Sequence, residues 1–167
     1  NENLERTVQE RTAELTAHTR ELEELTRESQ ETVQLETSLS ALNTSLRGNL
    51  STVQVAERAL AGAIEFLDAP MGAMFVTGEN GALNRIAAHA YPDRADLALS
   101  FAPGSGIVGQ AARSRRTIST TPDSHSLTVQ FGFGAVAPTH IKACPLLVAD
   151  TAVGVLEVCL FKPLTSL

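Results

Sequence analysis

The first 47 residues contain no glycine, proline, cysteine, Phe, Tyr or Trp, and every Gly, Pro, Cys, Phe and Tyr of the chain comes after them. Nothing in this stretch strongly disfavours a helix. Apolar side chains recur with the heptad spacing in which positions a and d form the seam of a coiled coil. Position a holds Val8, Leu15 and Leu22, and position d holds Leu4, Arg11, His18 and Leu25. The sequence therefore predicts a long helix followed by a different kind of segment.

A lone helix cannot bury this seam, so the seam needs a partner helix. A bundle within one chain is the less favoured alternative, because the sequence offers no second long helical segment. We therefore expect a parallel homodimer. After Ser29 the repeat changes phase, and the leucines from Leu35 onward follow a register displaced by three residues, which is a stammer. The residues predicted to form the dimer interface are Leu15, Leu22, Leu25, Leu39, Leu46 and Val53.

Gly48 and Asn49 interrupt this composition, and a glycine inside a helix costs about 1 kcal/mol relative to alanine. Helical spacing of apolar residues resumes between Val53 and Leu67. Two interpretations are open: the helix runs through with a weak point at Gly48, or it breaks and restarts at Ser51, a good N-cap residue. We favour the continuous helix, and expect it to end before Pro70.

The remaining residues are numerous enough for one small domain with its own core. We divide the chain into a coiled-coil helix at 1–49 and a globular domain at 50–167. Short apolar runs separated by turn residues predict strands at 72–77, 83–91, 97–101, 117–119, 141–149 and 152–161. A short helix is expected after Ser105, whose hydroxyl can cap it.

This order of elements predicts an α+β fold with helices packed on an antiparallel sheet. Residues 120–139 form a long polar and aromatic segment without an obvious element. We expect this segment to cover one face of the sheet, where a ligand cleft would form.

Three motifs of this domain resemble those of GAF domains. Residues 104–112 (GSGIVGQAA), followed by a basic turn and a strand at Thr117, resemble the middle signature of that family. Residues 145–147 (PLL) and 153–158 (VGVLEV) resemble its final hairpin, and residues 70–76 (PMGAMFV) resemble its first strand. The resemblance covers roughly residues 50–163. It implies an antiparallel sheet of about six strands between helices, with an N-terminal helix shared across a dimer.

Residues 10–15 (ERTAEL) resemble the run that often follows HAMP domains in sensor histidine kinases. Together with the GAF-like domain, they resemble the segment between HAMP domain and kinase core in bacterial hybrid sensor kinases. This resemblance implies a cytoplasmic part of a protein anchored in the inner membrane. The implied partners are a second copy of the chain, an upstream HAMP or membrane sensor and a downstream kinase core.

Candidate ligand-binding residues lie in and around the long segment. His125 is either a pocket residue or a surface histidine, and Phe131 and Phe133 either cap an apolar pocket or hold the segment on the core. Residues 120–140 contain no cysteine, so we expect no covalently bound bilin, and the identity of any cofactor is open. Cysteines in strands are most simply explained as buried thiols. The candidates are Phe101, His125, Phe131, Phe133 and Cys144.

Several functional classes are disfavoured. The net charge is −6, and the one basic cluster is Arg113, Arg115 and Arg116, which argues against nucleic-acid binding. The histidines and cysteines lack the spacing of metal ligands, so we expect no metal site. We find no catalytic triad or phosphate-binding loop motif, so we expect this segment to be non-catalytic.

Two functions remain. In the first, the domain is a sensor that binds a small ligand or partner and relays the change through the coiled coil. In the second, it is a dimerisation and relay spacer that binds no ligand. Both predict a dimer, and they differ in whether a small molecule stabilises the fold.

Overall fold

The computed structural model describes residues 2–91, 98–122, 128–132 and 134–161. Backbone contacts divide the chain into two compact units, Asn1–Asn43 and Thr44–Leu167. Helix α1, Glu2–Ser45, confirms the predicted long N-terminal helix. Its leucine seam is open to solvent in the single chain, with Leu15 67% and Leu22 64% exposed. Among the described residues, no helix combines the length and apolar character needed to span a membrane.

The favoured continuous helix through Gly48 is wrong, because α1 ends at Ser45 and a separate helix α2 covers Thr52–Leu67. Gly48 has φ +115°, a conformation that side-chain-bearing residues rarely adopt. Ser51 then starts α2 with a capping box: its hydroxyl accepts from the Gln54 amide at 3.3 Å, and its amide donates to the Gln54 side chain at 2.9 Å. Two of the predicted interface residues, Leu46 and Val53, therefore lie beyond the end of α1.

The sheet confirms the predicted antiparallel six-stranded arrangement, with strand order β3-β2-β1-β8-β7-β4. Every adjacent pair with a described ladder is antiparallel, and β1 and β8 lie at the centre. The strands of this sheet are β1 Met71–Thr77, β2 Leu83–His89, β3 Ser100–Phe101, β4 Ile118–Thr120, β7 His140–Val148 and β8 Thr151–Leu160.

The segment 120–139, predicted to lack regular elements, contains a separate two-stranded hairpin. Strands β5, Val129–Phe131, and β6, Gly134–Val136, pair with each other, so that Val129 lies opposite Val136. β-Branched residues at such a pair favour a strand, and Gly134, with φ +147°, adopts a backbone conformation that suits glycine at the turn.

The two faces of the main sheet carry separate halves of the core. Helix α2 covers one face, where its Ala56 and Leu60 pack with Met74 and Ala87. Helix α3, Gly106–Ser114, covers the other face and packs there with β7 and β8. The core cluster on the α3 face consists of Ala73, Phe75, Leu83, Val108, Ala111, Ala143 and Val155.

The glycine-rich run before α3 allows the helix to lie close to the preceding turn. A Cβ on Gly109 would stand 2.3 Å from the carbonyl oxygen of Ala102, so no side chain fits there. Ser105 occupies the N-cap position as predicted, but its side chain makes no capping hydrogen bond. The turn is held instead by its backbone, with the Gly104 amide donating to Gly109 and the Ser105 amide to Ala102, both at 2.9 Å.

Candidate functional site

The α3 face of the sheet carries a carboxyl group at its centre. Glu157 of β8 lies opposite Ala73 of β1 and Ala143 of β7, and both alanines are fully buried. Paired residues of an antiparallel ladder share a face, so Glu157 lies on the side that α3 covers. Among the eight described strands Glu157 is the single acidic residue. An acid in this position needs a reason other than packing.

Burial changes the acidity of this carboxyl group. Loss of hydration raises the pKa of Glu157 from 4.5 to about 7, although a hydrogen bond from Tyr91 favours the ionised form and lowers it. At neutral pH the side chain is therefore close to half ionised. A small change in its surroundings, such as a nearby charge, is enough to fix one protonation state.

Tyr91 links Glu157 to a cation. The guanidinium carbon of Arg85 lies 4.5 Å from the centre of the Tyr91 ring, within the range of a cation–π contact. Burial and the charge of Glu157 raise the pKa of the Tyr91 hydroxyl, while Arg85 opposes that shift. Arg85 pairs with Phe75 across the ladder, which places it on the same face as Glu157. We call Glu157, Tyr91 and Arg85 the polar cluster.

One atom of the polar cluster lacks a hydrogen-bond partner. Nη1 of Arg85 is buried, and within the part of the chain that the structure describes no acceptor reaches it. A buried donor without an acceptor costs about 1–3 kcal/mol. The cluster is thus incomplete, and an acceptor from a bound molecule would complete it.

Cys159 lies two residues along β8 from Glu157 and is buried. Burial, reinforced by the negative charge of Glu157, raises the pKa of the Cys159 thiol to about 12. The thiol is therefore protonated throughout the physiological range, and thiols react mainly as thiolates. Cys159 acts as a small apolar residue here, as its place in a strand predicts.

The predicted ligand-binding residues are only partly brought to this face. Phe101 lies there, at the β3 end, and contacts Phe75 edge to face with ring centres 5.4 Å apart. Cys144 pairs with Leu156, which packs toward α2, so it lies on the opposite face from the polar cluster. His125 and Phe133 lie outside the described residues, and for Phe131 the structure describes only the backbone, in β5.

A concave region lies where the turns after β1 and β7 approach the end of α3. It is an open cleft of about 340 Å³, lined by Thr77, Leu83, Pro103, Arg113 and Arg115 among others. Arg115 Nη1 donates to the Asp150 carbonyl at 3.3 Å. Both arginines are exposed, and the cleft holds no buried polar group. No group of three or more metal-ligating side chains occurs among the residues that the structure describes.

Our sequence reasoning missed all three members of the polar cluster. A signal was present for Glu157, because it interrupts the apolar run 152–161 at a position that shares a strand face with Val155 and Cys159. A charged residue on the inward side of a buried strand is rare without a role. Arg85 and Tyr91 carried no comparable signal, since their contact depends on the bend at Ala90 that follows β2.

The family model described as GAF domain matches residues 49–165. A comparison with curated proteins found no significant match. Among solved structures, the GAF domain of an Acinetobacter phosphoenolpyruvate-protein phosphotransferase is similar with a TM-score of 0.61 and 14% identity, over 78% of each chain.

Two further structures are similar. A putative GAF sensor protein from Burkholderia vietnamiensis has a TM-score of 0.54 and 22% identity, over 78% of this chain and 77% of that one. Free methionine-R-sulfoxide reductase from Neisseria meningitidis, in complex with its substrate, has a TM-score of 0.56 and 14% identity, over 79% and 75%. At these identities the likenesses show the fold, and the family match covers most of the sequence. The chain belongs to the GAF domain family, whose fold is a regulatory and sensory one.

Proposed function

We propose that this chain is a sensory module in which the GAF domain binds a small molecule at the polar cluster and a coiled coil formed by α1 relays the change. The observation that carries the proposal is the incomplete polar cluster on the α3 face. A face that served packing alone would be apolar, whereas this one holds an acid, a phenol and a guanidinium with an unpaired N–H. Perturbed titratable groups of this kind concentrate at binding sites.

The fold is compatible with such a role. The N. meningitidis reductase, which shares it, was solved with its substrate bound. That structure supports the idea that a GAF fold can hold a small molecule, while the residues that recognise one differ from protein to protein.

The same strands connect the polar cluster to helix α2. Ala73 and Glu157 face the α3 side. The adjacent Met74 and Leu156 face the other side, where they belong to the apolar clusters that contain Leu60 and Ile64 of α2. A ligand that shifts β1 against β8 therefore changes how α2 packs on the other face. For a signal to result, binding must favour one arrangement of the helices over another.

We further propose that the parent protein is a bacterial two-component sensor histidine kinase. The support is the likeness of residues 10–15 to the run after HAMP domains and the length of α1, which ends just before the GAF domain. In this setting the chain acts on the cytoplasmic side of an anchored protein. It joins an upstream sensor to a kinase core and a phosphorelay.

A thermal-unfolding screen of this chain against small metabolites tests the ligand-binding half. We expect at least one compound to raise the Tm of the wild-type protein and to lose that effect with Glu157→Gln. Glu79→Gln, at an exposed turn position, is the matched control and is expected to respond as wild type. The proposal fails if no compound raises the Tm, or if every compound that does acts equally on Glu157→Gln.

The relay spacer that binds no ligand is the second candidate. It is favoured by the hydrogen bond from Tyr91 to Glu157, because that contact already satisfies part of the cluster. On this alternative the dimer forms, the screen finds nothing, and kinase autophosphorylation in the parent protein is unchanged by Glu157→Gln. On the sensor proposal that variant changes the response of autophosphorylation to the ligand.

A further inference from the structure

Arg85 and Glu157, the two charged residues of the polar cluster, favour opposite kinds of ligand group. Arg85 offers a buried N–H that lacks an acceptor, so it suits a carboxylate or another anionic group. Glu157 offers a carboxyl group among alanines, so it suits a hydrogen-bond donor. A ligand that satisfies both ends carries an acceptor and a donor.

The charges of the polar cluster limit the class of ligand that it can bind. The cluster pairs one acid with one base, and a purely anionic ligand would meet the Glu157 carboxylate, whereas a purely cationic one would meet the Arg85 guanidinium. Like charges in a partly buried site repel strongly. A molecule with both charges avoids each repulsion and replaces the lost hydration at both ends.

Among the described residues, no ion pair joins Glu157 to Arg85, and Arg85 does not contribute to the pKa shift of Glu157. The two residues lie on strands separated by β1, which puts their backbones roughly 10 Å apart across the sheet. They are also offset along it, since Arg85 lies opposite Phe75 and Glu157 opposite Ala73. Tyr91 connects the two charged groups: its ring lies 4.5 Å from the guanidinium carbon of Arg85, and its hydroxyl accepts a hydrogen bond from Arg85 and donates one to Glu157.

We propose, as a refinement of the sensor function above, that the polar cluster recognises a small zwitterion of the amino-acid class. Its anionic group binds Arg85 and its protonated amine binds Glu157, while Tyr91 orients the two side chains.

The other groups facing Glu157 do not supply its counter-charge. Its ladder neighbours Ala73 and Ala143 are uncharged, and Cys159 carries a protonated thiol. Helix α3 presents Val108 and Ala111 to this face. Binding of the amine therefore requires that Glu157 lose its proton. Because the pKa of the free carboxyl is about 7, affinity is expected to rise roughly tenfold between pH 6 and pH 8.

Calorimetric and thermal-shift titrations of the whole chain test the refinement. The probes are glycine, 4-aminobutyrate and 6-aminohexanoate as zwitterions of increasing length, with butyrate and butylamine as single-charge controls. We expect at least one zwitterion to bind ten times or more tightly than either control. We also expect Glu157→Gln to abolish the pH dependence and Arg85→Gln to weaken binding at least tenfold.

Tyr91→Phe keeps the ring and removes the hydroxyl, and is expected to weaken binding less than either charge change while leaving the fold intact. The refinement is overturned if butyrate or butylamine binds as tightly as the best zwitterion, a result that leaves the sensor proposal standing. Zwitterion binding that survives in folded Glu157→Gln and Arg85→Gln also overturns it. If none of the probes binds, the refinement is wrong, and the metabolite screen decides the sensor proposal separately.

Discussion

At the scale of single residues, Glu157 is expected to contribute to the pH dependence of the domain's stability near neutral pH. Its pKa is about 7 in the folded protein, against 4.5 when exposed. Between these values the folded state holds more protons than the unfolded state, so the free energy of unfolding falls as pH rises. The contribution of Glu157 is greatest below about pH 4.5 and is lost as pH rises through about 7.

We predict that Glu157→Gln removes this contribution. The neutral amide cannot ionise, so above pH 7 the variant avoids the cost of a buried charge and is expected to be more stable than wild type at pH 8 by about 1–3 kcal/mol. At pH 4, below both pKa values, the difference should nearly vanish. Urea unfolding at both pH values measures it, with Glu79→Gln as the exposed control. Equal stability of wild type and Glu157→Gln at pH 8 would contradict the buried-carboxyl account.

A second prediction at the scale of single residues concerns Gly109. Alanine favours a helix over glycine by about 1 kcal/mol, so on propensity alone Gly109→Ala would stabilise α3. The added Cβ would instead meet the Ala102 carbonyl at 2.3 Å. We expect Gly109→Ala to lower the free energy of unfolding by about 2 kcal/mol in total. The control is Gly132→Ala, where nothing lies within 4 Å of the new Cβ, and its change should stay within about 0.5 kcal/mol.

The limits of sequence reasoning at this scale are physical. The glycine spacing in residues 104–109 is visible in the sequence, but the reason for Gly109 is a distance across a turn. Phe101 was predicted to face a pocket, and its contact with Phe75 shows that it shares the α3 face. Cys144 was assigned to the same pocket, yet the strand alternation sends it to the α2 side. A one-residue difference in strand register decides that outcome.

At the scale of elements, the structure confirms the predictions that rest on strong apolar periodicity. The apolar runs of β1, β2, β7 and β8 and the helix after Ser105 appear close to their predicted positions. Helical spacing on both sides of Gly48 favours a continuous helix over the break that separates α1 from α2. The capping box at Ser51 overrides that continuity, since it satisfies backbone N–H groups that a new helix leaves free. The β5–β6 hairpin escaped prediction because Gly132 and Gly134 lie at its turn, and glycine within a short run argues against a strand.

The start of α2 provides the element-scale prediction. Ser51→Ala removes the hydroxyl that accepts from the Gln54 amide, and is expected to lower the free energy of unfolding by about 1 kcal/mol. Ser51→Asp retains an acceptor at the N-cap and should recover most of that loss. Urea unfolding of the three proteins gives the comparison. If Ser51→Ala is neutral, the capping box does not determine where α2 begins.

At the scale of the whole molecule, the exposed seam of α1 needs a partner. Val8, Leu15, Leu22 and Leu25 are all more than half exposed in the single chain. Ion pairs along α1, such as Arg11 with Glu14 at 3.0 Å, lie on the surface and contribute little. Fully burying one leucine contributes about 1.5–3 kcal/mol, so a second copy of the seam supplies far more than these surface contacts.

We therefore predict that the chain is a dimer in solution and that Leu15→Lys combined with Leu22→Lys makes it a monomer, because both lysines would enter position a of the seam. Analytical ultracentrifugation gives the mass directly. Ala13→Lys combined with Ala17→Lys places the same two charges at positions f and c, on the outer side of the helix, and is the control expected to stay dimeric. The monomer should still bind the ligand, and its GAF domain should unfold as in the wild type. The reason is that the polar cluster and the core clusters lie within Thr44–Leu167. A double variant that is still a dimer would move the interface away from α1, and the relay through the coiled coil would then lose its physical basis.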